Sequence, residues 1–414
     1  MNVTIPTGLN ASHLARHTDV DWLIVGGGIH GVHIAACLIG EAGVDPERIR
    51  VVDPGARLLE RWRACTATTG MTHLRSPSVH HLDVSPWSLR RFAGNARTRK
   101  RGTFAPPYDR PKLSLFNDHC DRVIEKFGVE RLHLRARATT STIECDRVLV
   151  GLSTGTTLST TNLVLAIGAS EQPHWPAWAP TDDPRVQHIF EPDFDSWPQD
   201  PEEITIVGGG ISAAQVALRL LKERHEVQLV SRHALRQHQF DSDPGWLGPR
   251  FMEGFRRERD VNRRRALIAE ARHQGSVPPD IQRALRRAIA RSRIRWHEGD
   301  VDGFDPRGDR MEMKLSTGAT IQTQHVFLAT GFAAQRPGGP FVDQMVESAS
   351  LPCARCGYPI VDPSLRWHPR VYVSGPLAEL ELGPVSRNIA GARRAAARLV
   401  EVARARCLTS RVRP

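Results

Sequence analysis

The segment WLIVGGGIHG, residues 22–31, places a glycine-rich turn between a short apolar run and a helix-patterned stretch that continues to Glu41. A second such segment, ITIVGGGISA, occupies residues 204–213 and leads into another helix-patterned stretch, Ser212 to Arg224. A strand, a glycine turn and a helix, in that order, form the phosphate-binding unit of dinucleotide-binding domains. One such motif is weak evidence, but two in the correct context predict that this chain holds two dinucleotides.

The glycines of the first turn have separate predicted tasks. Gly26 permits the tight turn, Gly28 lets the backbone approach a pyrophosphate, and Gly31 lets the helix pack closely on the strand. The pyrophosphate then meets the helix N-terminus, where free N–H groups and the helix dipole favour negative charge. Asp53 ends the second predicted strand, where a carboxylate can accept hydrogen bonds from ribose hydroxyls. The alternative is a purely structural glycine turn, and Asp53 argues against it.

The second unit differs from the first at two places. Ala213 replaces the third glycine, and the second strand ends in Ser231 and Arg232 with no carboxylate. Serine and arginine can hydrogen-bond and neutralise a 2′-phosphate, which a carboxylate would repel, so the pattern favours NADPH over NADH. Arg232 as an ordinary solvated arginine is the alternative. The predicted nucleotide contacts of this unit are Gly208, Gly210, Ser212, Ala213, Ser231 and Arg232.

Composition bounds the class of protein. The chain has 414 residues and 40% hydrophobic residues, enough for two or three globular domains. Neither a signal-peptide core among the first twenty residues nor an uninterrupted apolar span is present, so the sequence predicts a cytoplasmic protein without a membrane segment. The formal net charge is +11, but only five of the 56 basic residues are lysines, a bias typical of a GC-rich genome, and no nucleic-acid partner is predicted.

The order of the motifs predicts an α/β fold with two Rossmann-like dinucleotide-binding domains, the second inserted in the first. Residues 173–201, rich in proline and tryptophan, separate the two glycine-rich units. The predicted division is residues 1–180 for the first part of the first domain, 181–320 for the second domain, and 321–414 for the return to the first.

The chain resembles the flavoproteins in which an N-terminal GxGxxG segment holds FAD and an inserted Rossmann unit holds the nicotinamide cofactor. Two later stretches carry the resemblance: VFLATGF at residues 326–332, similar to the ATG motif at the return to the FAD domain, and VYVSGP at residues 371–376, similar to a late FAD-contacting strand. LVLAIGA, residues 163–169, is a weaker counterpart of the first. The resemblance implies FAD beside Asp53, NADPH beside Arg232, and cofactor contacts at Gly331 and Gly375.

Among these flavoproteins, the chain most resembles the ornithine and lysine N-hydroxylase family of flavin monooxygenases. That family carries D-x3-(L/F)-ATG-(Y/H), and here Gln324 replaces the acid and Phe332 the last aromatic residue. The resemblance implies hydride transfer from NADPH to FAD, reaction with molecular oxygen, and oxygen transfer from a flavin hydroperoxide to an amine or other soft nucleophile. Residues 71–92 match the family's substrate side only loosely, which puts ornithine or lysine itself in doubt.

In such a mechanism the protein supplies a dry pocket, a hydrogen-bond donor to the peroxide and groups that orient the substrate. The candidate residues are His80, His81 and Asp83 in the segment 71–92, and Arg387 and Asn388 near the C-terminus. Each has a structural alternative, because histidine and asparagine often cap turns. The mechanism needs no metal, and none is predicted.

Other functions remain open from the sequence. A thioredoxin-reductase-like enzyme needs a redox CxxC in its nicotinamide domain, whereas the CxxC here, Cys353 to Cys356, follows ATGF and is more simply a pair of turn or buried cysteines. The segment 185–197 has no FxGxxxH pattern, which disfavours a Baeyer–Villiger enzyme. The alternatives to a monooxygenase are a flavin reductase or disulfide-type oxidoreductase, and a non-catalytic nucleotide-binding protein. The arginine-rich stretch Arg256 to Arg293 is predicted to be a solvated helical face, with docking of an anionic carrier protein as a minority hypothesis.

Overall fold

A computed structural model describes residues 18–95, 97, 100–194 and 196–411 of the chain. Its strands are, in chain order, β1 Thr18–Val25, β2 Ile49–Asp53, β3 Phe104–Ala105, β4 Arg110–Pro111, β5 His133–Arg135, β6 Ala138–Ile143, β7 Val148–Leu152, β8 Thr157–Leu165, β9 Val186–His188, β10 Glu203–Val207, β11 Glu226–Ser231, β12 Arg236–Gln237, β13 Ser276–Val277, β14 Ile294–Glu298, β15 Val301–Arg307, β16 Arg310–Leu315, β17 Thr320–Thr323, β18 His325–Leu328, β19 Arg366–His368 and β20 Val371–Val373.

The α-helices follow the same chain order. They are α1 Ile29–Gly40, α2 Glu60–Thr68, α3 Ser88–Phe92, α4 Leu113–Phe127, α5 Ile211–Lys222, α6 Pro249–Arg257, α7 Val261–Ala271, α8 Pro279–Ala290, α9 Gly339–Ala349, α10 Glu379–Leu382 and α11 Ile389–Arg411. Short 3₁₀ turns lie at Pro46–Arg48, Val129–Leu132, Pro244–Leu247, Gly375–Ala378 and Pro384–Arg387.

The first glycine-rich unit is the centre of the larger sheet. Leu23 and Ile24 of β1 are fully buried, and α1 buries the continuous stretch from His30 to Leu38. Strands buried on both faces are apolar throughout, which is why this segment shows no alternation. The parallel strands lie in the order β20, β8, β1, β2, β5, while β6 and β7 form an antiparallel hairpin that continues from β8.

The second unit has its own parallel sheet, in the order β14, β11, β10, β18, β9. The antiparallel sheet β15, β16, β17 covers one face, where Met311 and Met313 pack with Val230 and Leu328. On the other face α5 and α8 complete a core around Ile206. The predicted α/β fold with two dinucleotide-binding units is confirmed.

The chain returns to the first sheet later than the sequence indicates. The predicted return begins at residue 321, but β18, His325–Leu328, pairs with β10 and β9 in the second sheet. After Leu328 the chain forms α9, which packs on the β6–β7 side, and then adds β19 and β20 to the first sheet. The ATG segment therefore follows a strand of the second unit. The sequence places it in the first because it resembles the ATG motif at which related flavoproteins return to the FAD domain.

A smaller cluster joins the two units. Phe255 of α6 and Ile268 of α7 pack with Tyr358 and Leu380, which belong to the late part of the chain. The arginine-rich segment after β11 is therefore attached to the first unit and has buried apolar residues of its own. This cluster closes one wall of the cleft between the sheets.

Candidate functional site

The first glycine turn has the shape that a phosphate group requires. Gly26 has φ +112°, and an added Cβ would lie 2.6 Å from the carbonyl oxygen of Ala166. A Cβ on Gly31 would lie 1.8 Å from the carbonyl oxygen of Gly26, so a side chain there would separate α1 from the turn. Gly28, in contrast, has nothing within 4 Å of an added Cβ and precedes α1 without a side-chain cap. Uncapped N–H groups and open space at a helix N-terminus suit an anion.

Asp53 lies beside this turn, at the end of β2. Its carboxylate accepts hydrogen bonds from the Gly27 N–H at 2.6 Å and from the Gly55 N–H at 2.9 Å. Two backbone donors fix the carboxylate in place. They leave enough lone pairs for it to accept hydrogen bonds from ribose hydroxyls as well. Asp53 lines the cavity described below, so the structure brings it together with Gly26 and Gly28.

The second turn repeats this geometry with a different third residue. A Cβ on Gly208 would lie 2.5 Å from the carbonyl oxygen of Ala329 and 3.2 Å from the Cβ of Ala213. Ala213 is buried against the turn, where a methyl group still fits. Gly210 precedes α5 without a side-chain cap, and an added Cβ would meet only the Cα of Gly275 at 3.7 Å. Ser212 follows in the first turn of α5 and lines the cavity.

LAIGA and LATGF are equivalent parts of the two units. Ala166 follows β8, the neighbour of β1, and Ala329 follows β18, the neighbour of β10. Each alanine presents its carbonyl oxygen to a glycine of the turn next to it. Gly331, with φ +82°, lines the cavity on the side of the second unit, and its carbonyl oxygen accepts the N–H of His174 at 2.9 Å.

The end of β11 gives its two candidate residues different environments. Ser231 is buried, and its hydroxyl donates to the His233 carbonyl at 3.0 Å and accepts from Trp296 Nε1 at 2.9 Å. Ser231 lines the cavity, but its hydroxyl already donates its one proton inside the fold, so the predicted contact to a phosphate would require that bond to be given up. Arg232 is exposed and lines the cavity together with Arg236, while Asp300 lies on the same rim.

One cavity of about 2210 Å³ connects both turns. Sites for a single drug-sized ligand occupy about 300–1,000 Å³, so this volume suits more than one large ligand. Its lining includes Gly28 and Asp53 of the first unit, and Gly208 and Arg232 of the second. Two nucleotide-sized ligands bound on the two turns would thus share one enclosure.

His30 lies where this cavity meets the late part of the chain, and sequence analysis did not identify it. Its Nδ1 is 2.8 Å from the Ser374 hydroxyl, and an added Cβ on Gly375 would lie 3.7 Å from the ring. Burial lowers the pKa of His30 to about 4, against the opposing effect of the Asn388 and Arg387 backbones, so the ring is neutral near pH 7. Its position inside the GGGIHG turn was the available signal.

Arg387 and Asn388 are adjacent in the chain but make different contacts. Arg387 lines the cavity and donates to both oxygens of Glu379, at 2.7 and 3.1 Å, and to the Tyr358 hydroxyl at 2.8 Å. Asn388 is outside the described cavity lining, and its Oδ1 accepts the Gly391 N–H at 3.1 Å. The side chain of Asn388 thus caps α11, which is the structural alternative to a catalytic role.

Two arginines of the supposed solvated segment join Arg387 in the cavity wall. Arg265 forms an ion pair with Glu379, and the Arg272 guanidinium lies 3.5 Å from the other oxygen of the same carboxylate. Glu379 is completely buried. The prediction of a solvated helical face is therefore wrong for these residues, because their partner lies more than a hundred residues later in the chain.

His80 and His81 do not reach the cavity. Neither is among the described residues that line it. His81 Nε2 donates to the Pro86 carbonyl at 3.1 Å, and its Nδ1 accepts the Asp83 N–H, while Asp83 itself binds Ser88 and Lys126. This polar cluster holds the loop before α3 against α4. His80, His81 and Asp83 thus lie outside the described cavity lining, and the contacts seen for His81 and Asp83 hold the loop in place.

The CxxC segment also lies outside the described cavity lining. Cys353 and Cys356 are free thiols, and neither lines the cavity among the described residues. Burial raises the pKa of the Cys353 thiol, which disfavours the reactive thiolate. Within the described ranges, no group of three or more metal-ligating side chains is suitably placed, and no helix is long and apolar enough to cross a membrane.

Comparisons with known proteins agree with this geometry. A family model described as pyridine nucleotide-disulphide oxidoreductase matches residues 88–398. The ornithine hydroxylase of Pseudomonas aeruginosa has a TM-score of 0.73 at 17% identity, covering 94% of this chain and 99% of that one. The ornithine N-hydroxylase of Kutzneria sp. 744, solved with reduced FAD, NADP⁺ and L-ornithine, gives the same four values.

A different flavoprotein gives a weaker match over the same range. The bacillithiol disulfide reductase of Staphylococcus aureus has a TM-score of 0.62 at 14% identity, again over 94% of this chain and 99% of that one. At these identities the likeness to solved structures establishes the fold. No curated protein sequence gives a significant match.

Proposed function

The chain belongs to the pyridine nucleotide-disulphide oxidoreductase family, and from that premise we propose that it is an FAD- and NADPH-dependent monooxygenase acting on an amine or another soft nucleophile. The observation that carries this proposal is the single cavity onto which both glycine turns open. A donor and an acceptor of one hydride must meet in such a common, enclosed space. We assign the acceptor to the first turn and the donor to the second.

FAD fits the first turn on three grounds. Gly28 leaves the space that a pyrophosphate needs, the N-terminus of α1 has no competing side-chain cap, and Asp53 is fixed where a ribose would lie. Gly375 packs against His30 of this turn, and both residues line the cavity. We extend this to the division of the chain: residues 1–180 and the segment after Leu328 hold FAD, and the residues between them hold NADPH.

NADPH fits the second turn through its basic rim. Arg232 and Arg236 both line the cavity at the end of β11 and are exposed, so either can turn toward a 2′-phosphate. Since the Ser231 hydroxyl is committed inside the fold, the preference for NADPH over NADH rests on arginine. A charge-assisted bond of this kind is stronger than a neutral one.

In the reaction, bound FAD would supply both the acceptance of the hydride and the activation of oxygen, which are the chemistry of the cofactor. The chain supplies the surroundings. The turns hold the two nucleotides by their phosphates, and the cluster of Phe255, Ile268 and Tyr358 keeps water from one side of the cleft. The His30 ring is neutral at pH 7 and lies near Gly375. A nitrogen of this ring can donate or accept one hydrogen bond without adding charge to the cavity.

Oxygen transfer is favoured over disulfide reduction by the placement of the cysteines. A dithiol that exchanges electrons with a flavin has to approach it, but Cys353 and Cys356 lie outside the described lining. Cys65 does line the cavity, as a lone thiol whose pKa is raised by burial. The likeness to ornithine N-hydroxylases in fold supports an amine as the nucleophile, while the likeness to a disulfide reductase keeps electron transfer without oxygen insertion as the second candidate.

The test uses the FAD-loaded full chain and a panel of primary amines with isotopically labelled molecular oxygen. The proposal predicts that one class of amine accelerates NADPH oxidation and that one labelled oxygen atom enters the product. NADPH oxidation that yields only hydrogen peroxide with every amine, yet reduces a disulfide, would establish the second candidate. A protein that binds no flavin at all would leave only a non-catalytic nucleotide-binding role.

A further inference from the structure

Three arginines that line the cavity surround one buried carboxylate. Arg387 Nε and Nη2 lie 2.7 and 3.1 Å from the oxygens of Glu379, and Arg272 Nη2 lies 3.5 Å from one of them. Arg265 makes the third ion pair and stacks over the Tyr358 ring at 4.2 Å. We call Arg265, Arg272, Arg387 and Glu379 the arginine cluster.

The cluster carries more positive than negative charge toward the cavity. Its three arginines line the cavity, whereas Glu379 has no exposed surface. Two further charged residues line the same region: Asp241, which lies near Arg272, and Arg75, whose guanidinium donates to the carbonyls of Gln239 and His238. Four arginines thus face two carboxylates. The excess of positive charge has no counterion among the described residues of this wall.

Arg272 has unused hydrogen-bonding capacity. Its Nε is buried and has no partner among the described atoms, and its Nη2 bonds only the Pro384 carbonyl at 3.1 Å and, weakly, Glu379. A buried donor without a partner costs about 1–3 kcal/mol. Burial, reinforced by the neighbouring Arg387, lowers the pKa of Arg272 to about 10, which shows how poorly its charge is solvated here. An anion in the cavity would relieve both deficits.

The cluster lies between the two nucleotide turns. Glu379 follows Gly375 by four residues, and Gly375 packs against His30 of the first turn. On the other side Arg272 precedes Gly275 by three residues, and Gly275 approaches Gly210 of the second turn. The cluster is therefore connected to both glycine turns, whereas Arg232 directly follows β11.

We propose that the arginine cluster binds an anionic group of the substrate, so that the substrate is an acidic molecule with more than one carboxylate or equivalent anion. This inference rests on the proposed function in one respect: it takes the anion that binds here to be part of the substrate. A cationic diamine would meet the excess positive charge and would be repelled. Of the carboxylates that the described residues place beside these arginines, Glu379 is enclosed by arginines and does not line the cavity, whereas Asp241 does.

Calorimetric titration of the FAD-loaded full chain tests this inference without any turnover. The ligands are a matched series of one chain length: succinate, its monoamide, its diamide, and the diamine 1,4-diaminobutane. We expect succinate to bind, the monoamide to bind more weakly, and the diamide and the diamine not to bind. Tighter binding of the diamine than of succinate would overturn the inference.

Variants locate the subsite. Arg272→Gln and, independently, Arg265→Gln should each weaken succinate binding at least about tenfold, the equivalent of one charge-assisted hydrogen bond. Arg272→Lys should recover part of the loss, because the charge returns. Arg263→Gln is the matched control on the same helix, since Arg263 is half-exposed, pairs with Glu270 and does not line the cavity.

The outcomes separate this inference from the proposed function. If both Arg272→Gln and Arg265→Gln weaken the binding of NADPH and leave the binding of succinate unchanged, the cluster binds a cofactor phosphate and the inference is wrong. If succinate binds as expected but no acidic amine is oxygenated, the anion subsite stands and the monooxygenase proposal fails. Thermal unfolding of each variant with FAD bound checks that a loss of binding is not a loss of fold.

Discussion

Gly28→Ala and Gly31→Ala are expected to have opposite effects, although the two residues belong to one turn. A Cβ on Gly31 would lie 1.8 Å from the carbonyl oxygen of Gly26, and this oxygen is backbone that cannot rotate away. Overpacking a rigid site typically costs about 1–3 kcal/mol. The usual gain from replacing a helical glycine by alanine is about 0.5–1 kcal/mol, so the net effect of Gly31→Ala should be to destabilise the apoprotein by roughly 1 kcal/mol.

Gly28→Ala should instead leave the apoprotein intact. Gly28 has φ −78° and ψ −165°, a conformation open to alanine, and nothing lies within 4 Å of the added Cβ. The gain of about 0.4–1 kcal/mol from reduced flexibility of the unfolded chain is opposed by the preference for glycine over alanine at a helix N-cap, so the stability of the apoprotein should change little. The methyl group occupies the space assigned to the FAD pyrophosphate, and we expect FAD affinity to fall at least about tenfold, or 1.4 kcal/mol.

Urea denaturation of the apoproteins and FAD titration by flavin fluorescence measure the two effects separately. Gly43→Ala is unsuitable as a control, because Gly43 has φ +68°, whereas Gly254, a helical residue with open space, provides a matched Gly→Ala change away from the turn. Normal FAD affinity in Gly28→Ala would refute the assignment of this turn to FAD. Wild-type stability in Gly31→Ala would refute the packing argument.

Three further changes test other parts of the site. Arg232→Ala should weaken the binding of NADPH by about 10- to 100-fold, because a charge-assisted bond is lost, and should leave the binding of NADH nearly unchanged. Equal losses of affinity for both nucleotides in steady-state kinetics would show that Arg232 does not contact the 2′-phosphate. Acidification should destabilise the fold, because burial lowers the pKa of six histidines to about 3 or 4, namely His30, His33, His80, His81, His119 and His188. In the unfolded chain these histidines bind protons below about pH 6.5, whereas in the folded protein they do not. The free energy of unfolding should therefore decrease as the pH falls from 6.5 toward 4, by roughly 1 kcal/mol per histidine at pH 5.5. Equal denaturant midpoints at pH 7 and pH 5.5 would contradict this expectation. Cys353→Ser should retain NADPH oxidation at the wild-type rate, since Cys353 does not line the cavity, and a loss of turnover without a loss of flavin would favour the disulfide-reductase candidate.

The local parts of the site could be predicted from the sequence. Gly26, Gly28 and Gly31 act within one turn, and the strand and helix on either side are strongly apolar, so their geometry follows from neighbours in the chain. The end of the second strand at Asp53 was equally visible. Predictions of this kind depend on few residues that are close in sequence.

The remainder depended on contacts between distant segments. The Ser231 hydroxyl is bound by Trp296, 65 residues later, so its availability to a ligand could not be deduced from the strand end. Arg272 lines the cavity, and its contacts are with Glu379 and the Pro384 carbonyl, both more than a hundred residues later in the chain. His81 looked like a substrate-side residue, yet its partners Pro86 and Asp83 are local, and a turn role was the better interpretation of that segment.

The most direct test of the account is anaerobic mixing of the FAD-loaded protein with NADPH, followed by the absorbance of the oxidised flavin. If the two turns hold the acceptor and the donor of one hydride in a common cavity, the flavin must be reduced within the enzyme complex, faster with NADPH than with NADH, and the rate must saturate with nucleotide concentration. A flavin that stays oxidised with both nucleotides would contradict the assignment of the two turns to the acceptor and the donor of one hydride.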